Sequence, residues 1–135
     1  MTTLARGTFE VQVVPQKADN PPAETAQIGR FSLDKQFHGD IEAVSHGEML
    51  GIRSENQTSG GYVAIERING TLHGRTGTFA LQHSGAMSAG SQQMTITVVP
   101  DSGTGQLAGL TGKMTIKIEN KQHFYEFDYA LPETP

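Results

Sequence analysis

PDSGTGQLAGLTGKMTIKIENKQHFYEFDYAL, residues 100–131, joins a glycine-rich corner to two runs that alternate apolar and polar side chains. The first run covers residues 113–119 and the second covers residues 123–131. A period of two is typical of β-strands with one buried face. The segment therefore predicts a β-hairpin that turns at Asn120-Lys121.

Burial sets the register of this hairpin. A turn centred at its middle places Met114 beside Phe127 and Ile116 beside Tyr125 on one apolar face. A slip of one residue would turn the apolar side chains of one strand to the opposite face. The sequence thus favours this register, although lysine is unfavourable at a turn position with positive φ.

The polar face of the hairpin sets Lys113 across from Asp128 and Thr115 across from Glu126. One interpretation is a solvated ion pair, which contributes about 0.2–1 kcal/mol. The other requires this face to line a barrel interior, where a neutral amine beside a neutral acid would support covalent chemistry. Asp128, Lys113 and Glu126 are then candidate catalytic residues, for a Lys113–Asp128 crosslink or self-cleavage after Asp128, with Glu126 carrying protons.

Composition narrows the classes of function. The 135 residues suit a single domain, residues 1–135. Charged residues make up 18%, the net charge is −4, and no basic stripe exists, so we expect no nucleic-acid partner. The lack of cysteine excludes disulfides and thiol chemistry. Without an apolar leader or membrane-length segment, the sequence predicts a cytoplasmic protein with no membrane partner.

Sixteen glycines and the lack of a helical period predict an all-β fold. The expected strands are residues 8–13, 28–37, 40–53, two within 61–83, 94–98 and the two of the C-terminal hairpin. Eight strands can close into an antiparallel barrel that is filled or holds one small ligand. A two-sheet sandwich is the structural alternative.

Three segments between or beyond these strands are expected to be irregular. Residues 15–26 contain prolines that cannot donate ladder hydrogen bonds, so we expect a mobile polar loop. Residues 84–92 are mostly small and polar and predict a second loop, and residues 132–135 predict a short flexible tail.

The third strand carries a row of acidic residues. Asp40, Glu42, His46 and Glu48 share one parity, so an unbroken strand would display them on one face. That row either faces solvent or faces a polar cavity. A bulge at Gly47 would break it.

Asn69-Gly70 between alternating runs predicts a type I′ hairpin. Its register pairs Glu66 with His73. A bulge near Gly74 or Gly77 would then return the following apolar residues to the buried side.

Glu48, Glu66 and His73 are the candidate ligand-binding residues. If they converge inside the barrel, they could also perform the acid–base chemistry of an isomerase or cyclase. The glycines of residues 103–109 precede a strand and not a helix, which argues against a dinucleotide site. The five histidines lack the spacing of metal ligands, so we expect no metal and no cofactor.

Several runs give the chain a family resemblance. They are FHGD (37–40), GEML (47–50), GYVAIE (61–66), GTLHGR (70–75), LQHSG (81–85), VPDSGTG (99–105), LAGL (107–110) and YEFDY (125–129). Over residues 7–131 the chain resembles a bacterial family of small proteins of unknown function. That family is classed with the allene-oxide-cyclase-like barrels, whose wider relatives include the plant dirigent proteins, and the Gly-Thr-Gly corner is similar to theirs.

The resemblance implies a β-barrel whose mouth or lumen takes a small, largely apolar molecule. The resemblance does not imply cyclase activity, because the catalytic groups of the cyclase are not matched to positions in this sequence. We expect a binding module for a small apolar or amphipathic ligand, with a homo-oligomer as an open alternative. Self-processing at Lys113 and Asp128, and an isomerase or cyclase inside the barrel, are the enzymatic alternatives.

Overall fold

In the computed structural model, which describes residues 2–132, eight antiparallel strands close a barrel in chain order. The elements are β1 (Thr3–Gln16), α1 (Pro21–Thr25), β2 (Gly29–Gly39), β3 (Ile41–Arg53), β4 (Gly60–Leu72), β5 (Arg75–Ser88), β6 (Ser91–Val98), a 3₁₀ helix (Gly105–Leu107), β7 (Thr111–Glu119) and β8 (Gln122–Ala130). β1 pairs with β8 and closes the cylinder. The predicted eight-stranded barrel is confirmed, and the sandwich alternative is wrong. None of the helices in this range has the length and apolar character needed to cross a bilayer.

The C-terminal hairpin has the register that its sequence predicts. β7 and β8 pair Met114 with Phe127, and both side chains are buried. Asn120 and Lys121 form the turn with φ angles of 50° and 66°, which are the left-handed values of a type I′ turn. Burial of the apolar face therefore outweighs the poor fit of lysine to this turn position.

The predicted turn at Asn69-Gly70 is wrong. The chain turns at His73-Gly74 instead, where φ is 46° and 79°, and Glu66 consequently lies opposite Leu81 and not opposite His73. Gly70 is inside β4, where a Cβ would lie 2.5 Å from the Cβ of Ala43 on β3. This glycine allows two strands to approach closely and does not form the turn.

The expected bulges do not occur. β3 pairs one to one with both neighbours across Gly47, and β4 pairs one to one with β5 across Gly77. Because the β4–β5 turn lies four residues later than predicted, the apolar residues of β5 already face inward. No correction of their parity is needed.

β1 and β5 extend into segments that were expected to be loops. β1 continues through Pro15 and Gln16, and α1 occupies part of the expected loop at residues 15–26. Proline is tolerated at this point because β1 pairs with β8 only over its first half. In its second half, the edge of β1 that faces away from β2 has no partner strand. β5 runs to Ser88 and turns at Ala89-Gly90, within the loop expected at residues 84–92.

Two expectations about flexibility remain open. The mobility of residues 15–26 stays a prediction. The expected tail, residues 132–135, lies outside the described residues except for Pro132.

Aromatic side chains seal one end of the barrel. The buried aromatic residues are Phe9, Phe37, Phe79, Tyr125, Phe127 and Tyr129. Leu107 and Leu110, from the corner that follows β6, pack into the same core. The Tyr125 hydroxyl accepts a hydrogen bond from the Ile41 N–H at 2.9 Å and donates one to the His38 carbonyl at 2.9 Å. These bonds tie β8 to the turn between β2 and β3.

We predict that Gly7→Ala destabilises the barrel by about 1–3 kcal/mol. A Cβ at Gly7 would overlap the His38 carbonyl oxygen and lie 2.5 Å from the Tyr125 hydroxyl oxygen. Gly61→Ala is the matched control, since its Cβ would meet nothing closer than 3.6 Å. Urea unfolding curves of the two variants measure the difference, and equal midpoints would contradict the prediction.

Candidate functional site

Four polar side chains lie inside the barrel and form what we call the buried cluster. They are Lys35 on β2, Ser45 on β3, Glu66 on β4 and His83 on β5, and all four are buried. Each occupies an inward-facing position of its strand, among apolar side chains of the same parity. Polar groups so placed must bond to one another, because water does not reach them.

The carboxylate of Glu66 is the centre of the cluster. Its Oε2 accepts hydrogen bonds from Lys35 Nζ at 2.8 Å and from His83 Nε2 at 2.6 Å. Its Oε1 accepts one from Ser45 Oγ at 2.8 Å. The Lys35 ammonium also lies 4.9 Å from the ring centroid of Phe9, within the range of a cation–π interaction.

Glu66 stays ionised despite its burial. Burial alone would raise the pKa of this carboxyl, but the hydrogen bond from His83 and the charge of Lys35 outweigh it and hold the pKa at about 2. The barrel therefore contains an ionised carboxylate at neutral pH, hydrogen-bonded to the Lys35 amine and the His83 imidazole.

The mouth is the cavity at the end of the barrel opposite the aromatic residues, and its volume is about 620 Å³. Apolar side chains on its wall include Val13, Phe31, Met49 and Met87. Gly29, Gly51 and Gly85 also line it. The rings of Phe31 and Tyr62 pack over Gly29 and Gly85, whereas a Cβ at Gly51 would meet nothing closer than 3.5 Å.

Tyr62 stands between the mouth and the buried cluster. It lines the mouth, and a Cβ at Gly85 would overlap its ring, so the ring lies directly over that glycine. Burial, and then the negative charge of Glu66, raise the pKa of Tyr62. On β4, Tyr62 lies four residues before Glu66 and shares its inward parity. No hydrogen bond of the Tyr62 hydroxyl occurs among the side-chain bonds of residues 2–132.

A second hollow lies on the outer surface of the sheet. It has a volume of about 750 Å³, and Leu50, Val63 and Ile65 line it together with polar side chains of β5 and β6. Gly47, Ala64 and His83 belong to its floor. The three apolar side chains are about half exposed and point away from the barrel interior.

The predicted catalytic pair lies on the outer face of the barrel. Lys113 is exposed and Asp128 is half-buried, opposite each other as predicted, and no ion pair within 4 Å joins them among those of the described residues. Glu126 is exposed and forms an ion pair with Arg6 at 2.9 Å. The interior environment that covalent chemistry would require is absent, so that interpretation of this face is corrected.

Glu48, Glu66 and His73 do not converge, and only Glu66 lies inside. Glu48 faces outward and pairs with Arg30 at 2.6 Å. His73 sits in the β4–β5 turn, where its Nδ1 is 2.5 Å from the Tyr129 hydroxyl. The predicted triad is separated because the register that would have paired Glu66 with His73 does not form.

The acidic row of β3 faces solvent. Glu42, His46 and Glu48 are exposed, and Asp40 lies in the turn before the strand. Of the two interpretations of this row, the polar solvent-facing one holds. Within the described part of the chain, no three His, Cys, Asp or Glu side chains come together as metal ligands would.

Sequence reasoning missed Lys35, Ser45 and His83, although a signal was present. Lys35 shares its parity with the apolar residues of β2, and His83 shares its parity with those of β5. A charged or titratable residue in the middle of an apolar face indicates a buried polar group. The sequence does not show which residues such a buried group contacts, because its hydrogen-bond partners lie on other strands and are brought together only by the register of the barrel.

We predict that Lys35→Met destabilises the protein by about 3–5 kcal/mol, because the Glu66 carboxylate would lose its buried counter-charge. The control is Lys117→Met, which removes an exposed pair with Glu119 and should change stability by no more than about 1 kcal/mol. Chemical unfolding of both variants at neutral pH measures the contrast. Similar losses in the two variants would contradict the prediction.

We also predict a Glu66-dependent loss of stability in acid. The pKa of this carboxyl is lower in the folded protein, about 2, than its ordinary value of 4.5. Its contribution is therefore complete above about pH 4.5 and disappears as the pH falls towards 2. The wild type should lose roughly 3 kcal/mol relative to Glu66→Gln over this range. Unfolding free energies of the two proteins that run parallel with pH would contradict this.

Comparison with known proteins shows the family of the chain. Residues 5–129 match the family described as "Protein of unknown function (DUF3224)". The barrel is similar to the crystal structure of a protein with unknown function from the DUF3224 family of Shewanella oneidensis MR-1. The two are 44% identical, the TM-score is 0.90, and the match covers 98% of this chain and 100% of that one. No curated protein matches. With most of its length matched and the fold shared with another member, the chain belongs to the DUF3224 family.

Proposed function

We propose that this protein binds a small amphipathic molecule in the mouth of its barrel. The observation that carries the proposal is the cavity of about 620 Å³, walled mainly by apolar side chains and lying above a buried charged cluster. Ligand cavities in proteins are commonly about 300–1,000 Å³, apolar, and provided with a few polar groups that orient the ligand. In this arrangement the apolar part of the ligand contacts the walls, and its polar end faces Tyr62.

The mouth suits a ligand better than the outer hollow does. Its walls come mainly from inward-facing positions of β2 to β5. The outer hollow lies on the convex side of the barrel, between side chains that project into solvent. Gly51 leaves open space on the mouth wall, whereas at the other end aromatic residues fill the interior.

The two enzymatic alternatives have less support. Self-processing would require Lys113 and Asp128 to be buried together, and they lie on the outer face. An isomerase or cyclase built on Glu48, Glu66 and His73 would require these residues to meet, and Glu48 and His73 bind other partners. Binding requires only the side chains that line the mouth, whereas each enzymatic alternative requires residues that do not meet.

The test is a titration with Nile red, an uncharged dye whose fluorescence rises in apolar surroundings. Gly51→Phe should weaken binding at least about tenfold, because the new ring would project into the mouth. A Cβ at this position meets nothing closer than 3.5 Å, so the substitution is sterically tolerated at its base. Circular dichroism and a thermal melt confirm folding.

Val63→Ser is the matched control, since it changes the outer hollow and leaves the mouth intact. Its affinity for the dye should stay within about twofold of the wild type. Absence of dye binding to the wild type would contradict the proposal. A loss in Val63→Ser with no loss in Gly51→Phe would instead locate binding on the outer surface and would equally overturn it.

A further inference from the structure

The lining of the mouth carries a single charge. Of the described residues that line it, only Arg53, at the end of β3, is charged. This residue shares the inward parity of Met49 and Gly51 on the same strand. The other polar side chains of the lining are neutral: Gln27, Gln57, Ser59, Tyr62 and Gln92. A largely apolar cavity is thus provided with one positive charge.

Arg53 has no acidic partner in the described part of the chain. No ion pair within 4 Å joins it to a carboxylate of residues 2–132. Its Nη1 lies 3.5 Å from the amide oxygen of Gln57, which is a long hydrogen bond to a neutral acceptor. Glu55, the nearest acid in the sequence, is exposed on the loop between β3 and β4. Most of the five guanidinium N–H groups are therefore available to an anion.

The strand register sets Arg53 on the same side of the mouth as Tyr62. β3 and β4 pair Arg53 with Gly60, and Gly51 with Tyr62. Arg53 and Tyr62 are thus diagonal neighbours on the inner face, at a separation of about 7–8 Å that long and aromatic side chains can span. The other two residues of this group are glycines, so neither contributes a side chain between them. A ligand group that faces Tyr62 is consequently within reach of the guanidinium.

The buried Glu66 does not oppose an anion at this level. Glu66 lies six residues beyond Gly60 on β4, which is roughly 20 Å along the strand from the position opposite Arg53. That distance is more than twice the Debye length at physiological salt, about 8 Å. The Glu66 carboxylate is also bonded to Lys35 Nζ at 2.8 Å. The charge that an anion in the outer part of the mouth would meet first is the guanidinium of Arg53.

The chemistry of Arg53 favours a carboxylate over other anions. The planar fork of a guanidinium matches the two oxygens of a carboxylate and can donate two parallel hydrogen bonds to them. A phosphate monoester carries about −1.5 to −2 charges at neutral pH. The one cation of the lining cannot neutralise that charge, whereas it balances a single carboxylate.

We propose that the ligand of the mouth is an amphipathic monocarboxylate, whose carboxylate pairs with the guanidinium of Arg53. This inference rests on the proposed function of the mouth. The carboxylate is the polar end of the ligand on the Tyr62 side, and the body of the ligand is the apolar part already assigned to the walls. Arg53 determines specificity, because it distinguishes an anionic ligand from a neutral one of the same shape.

The probes are 1-naphthaleneacetic acid and 1-naphthaleneacetamide, which have nearly the same shape and differ in charge at neutral pH. At an ionic strength of about 0.01 M, the wild type should bind the acid about fivefold more tightly than the amide, as expected of an exposed ion pair. The ratio should fall towards one in about 1 M salt, where the Debye length shortens from about 30 Å to about 3 Å. Fluorescence titration of each probe gives the ratio of affinities.

Arg53→Gln tests the cation. The acid-to-amide ratio should fall to about one, while the affinity for the amide stays within about twofold of the wild type. Arg53→Lys keeps the charge without the planar fork and should retain a ratio of at least about two. The matched control is Arg67→Gln, because Arg67 is exposed on β4 and lines neither cavity. It changes the net charge equally and should keep the wild-type ratio.

Gly51→Phe shows whether the acid occupies the mouth. The variant should weaken binding of the acid at least about tenfold, as it should for Nile red, because the same space is filled. Unchanged binding of the acid to this variant would place the ion pair on the outer surface and would overturn the inference.

The remaining outcomes separate the two proposals. Equal binding of acid and amide to the wild type, or equal ratios in Arg53→Gln and Arg67→Gln, would overturn the carboxylate assignment and leave the binding function standing. Failure of the acid alone, with Nile red still bound, would have the same meaning. Failure of both probes together with Nile red would overturn the binding function itself, and the carboxylate assignment with it.

Discussion

The Glu66 carboxylate imposes the central constraint on this barrel. An ionised carboxylate with no access to water is tolerated only when several donors surround it, and three side chains from three other strands do so here. These donors lie on β2, β3 and β5, so the cluster forms only when four consecutive strands have the correct register. The polar interior and the strand alignment therefore depend on each other.

The two ends of the barrel differ in how fully side chains fill the interior. At the sealed end, aromatic rings and the leucines of the corner after β6 fill the volume, and Tyr125 bonds its hydroxyl to the main chain. At the mouth, the rings of Phe31 and Tyr62 pack over Gly29 and Gly85, and a cavity of about 620 Å³ remains. The cluster lies between a packed core, which provides stability, and an open space that remains available to a ligand.

Local pattern predicted the last hairpin correctly because two signals agreed there. Alternation and the position of the turn both placed Met114 beside Phe127. At Asn69-Gly70 the turn signal was misleading, because Gly70 is required by the approach of β3 to β4. Sequence alone cannot distinguish a glycine needed for close contact between strands from one needed for a turn. Because the turn was predicted four residues too early, Glu66 was paired with His73 and not with Leu81.

The fold class was predictable and the site was largely not, for a physical reason. Eight alternating segments suffice to predict a barrel, but the cluster joins Lys35, Glu66 and His83 across strands. Their convergence depends on every register between β2 and β5. Parity within one strand could have shown that Lys35 and His83 point inward, yet it could not have shown that they meet.

The energetics of the cluster support a role beyond stability. Replacing a buried ion pair with apolar side chains of similar volume is often neutral or stabilising by about 1–4 kcal/mol, and Ile68 and Leu81 show that this interior accommodates such residues at neighbouring positions. Charge at this depth is therefore not needed to fill the barrel. The cluster holds a carboxylate, an amine, a hydroxyl and an imidazole in fixed positions inside the barrel, which leucines could not provide.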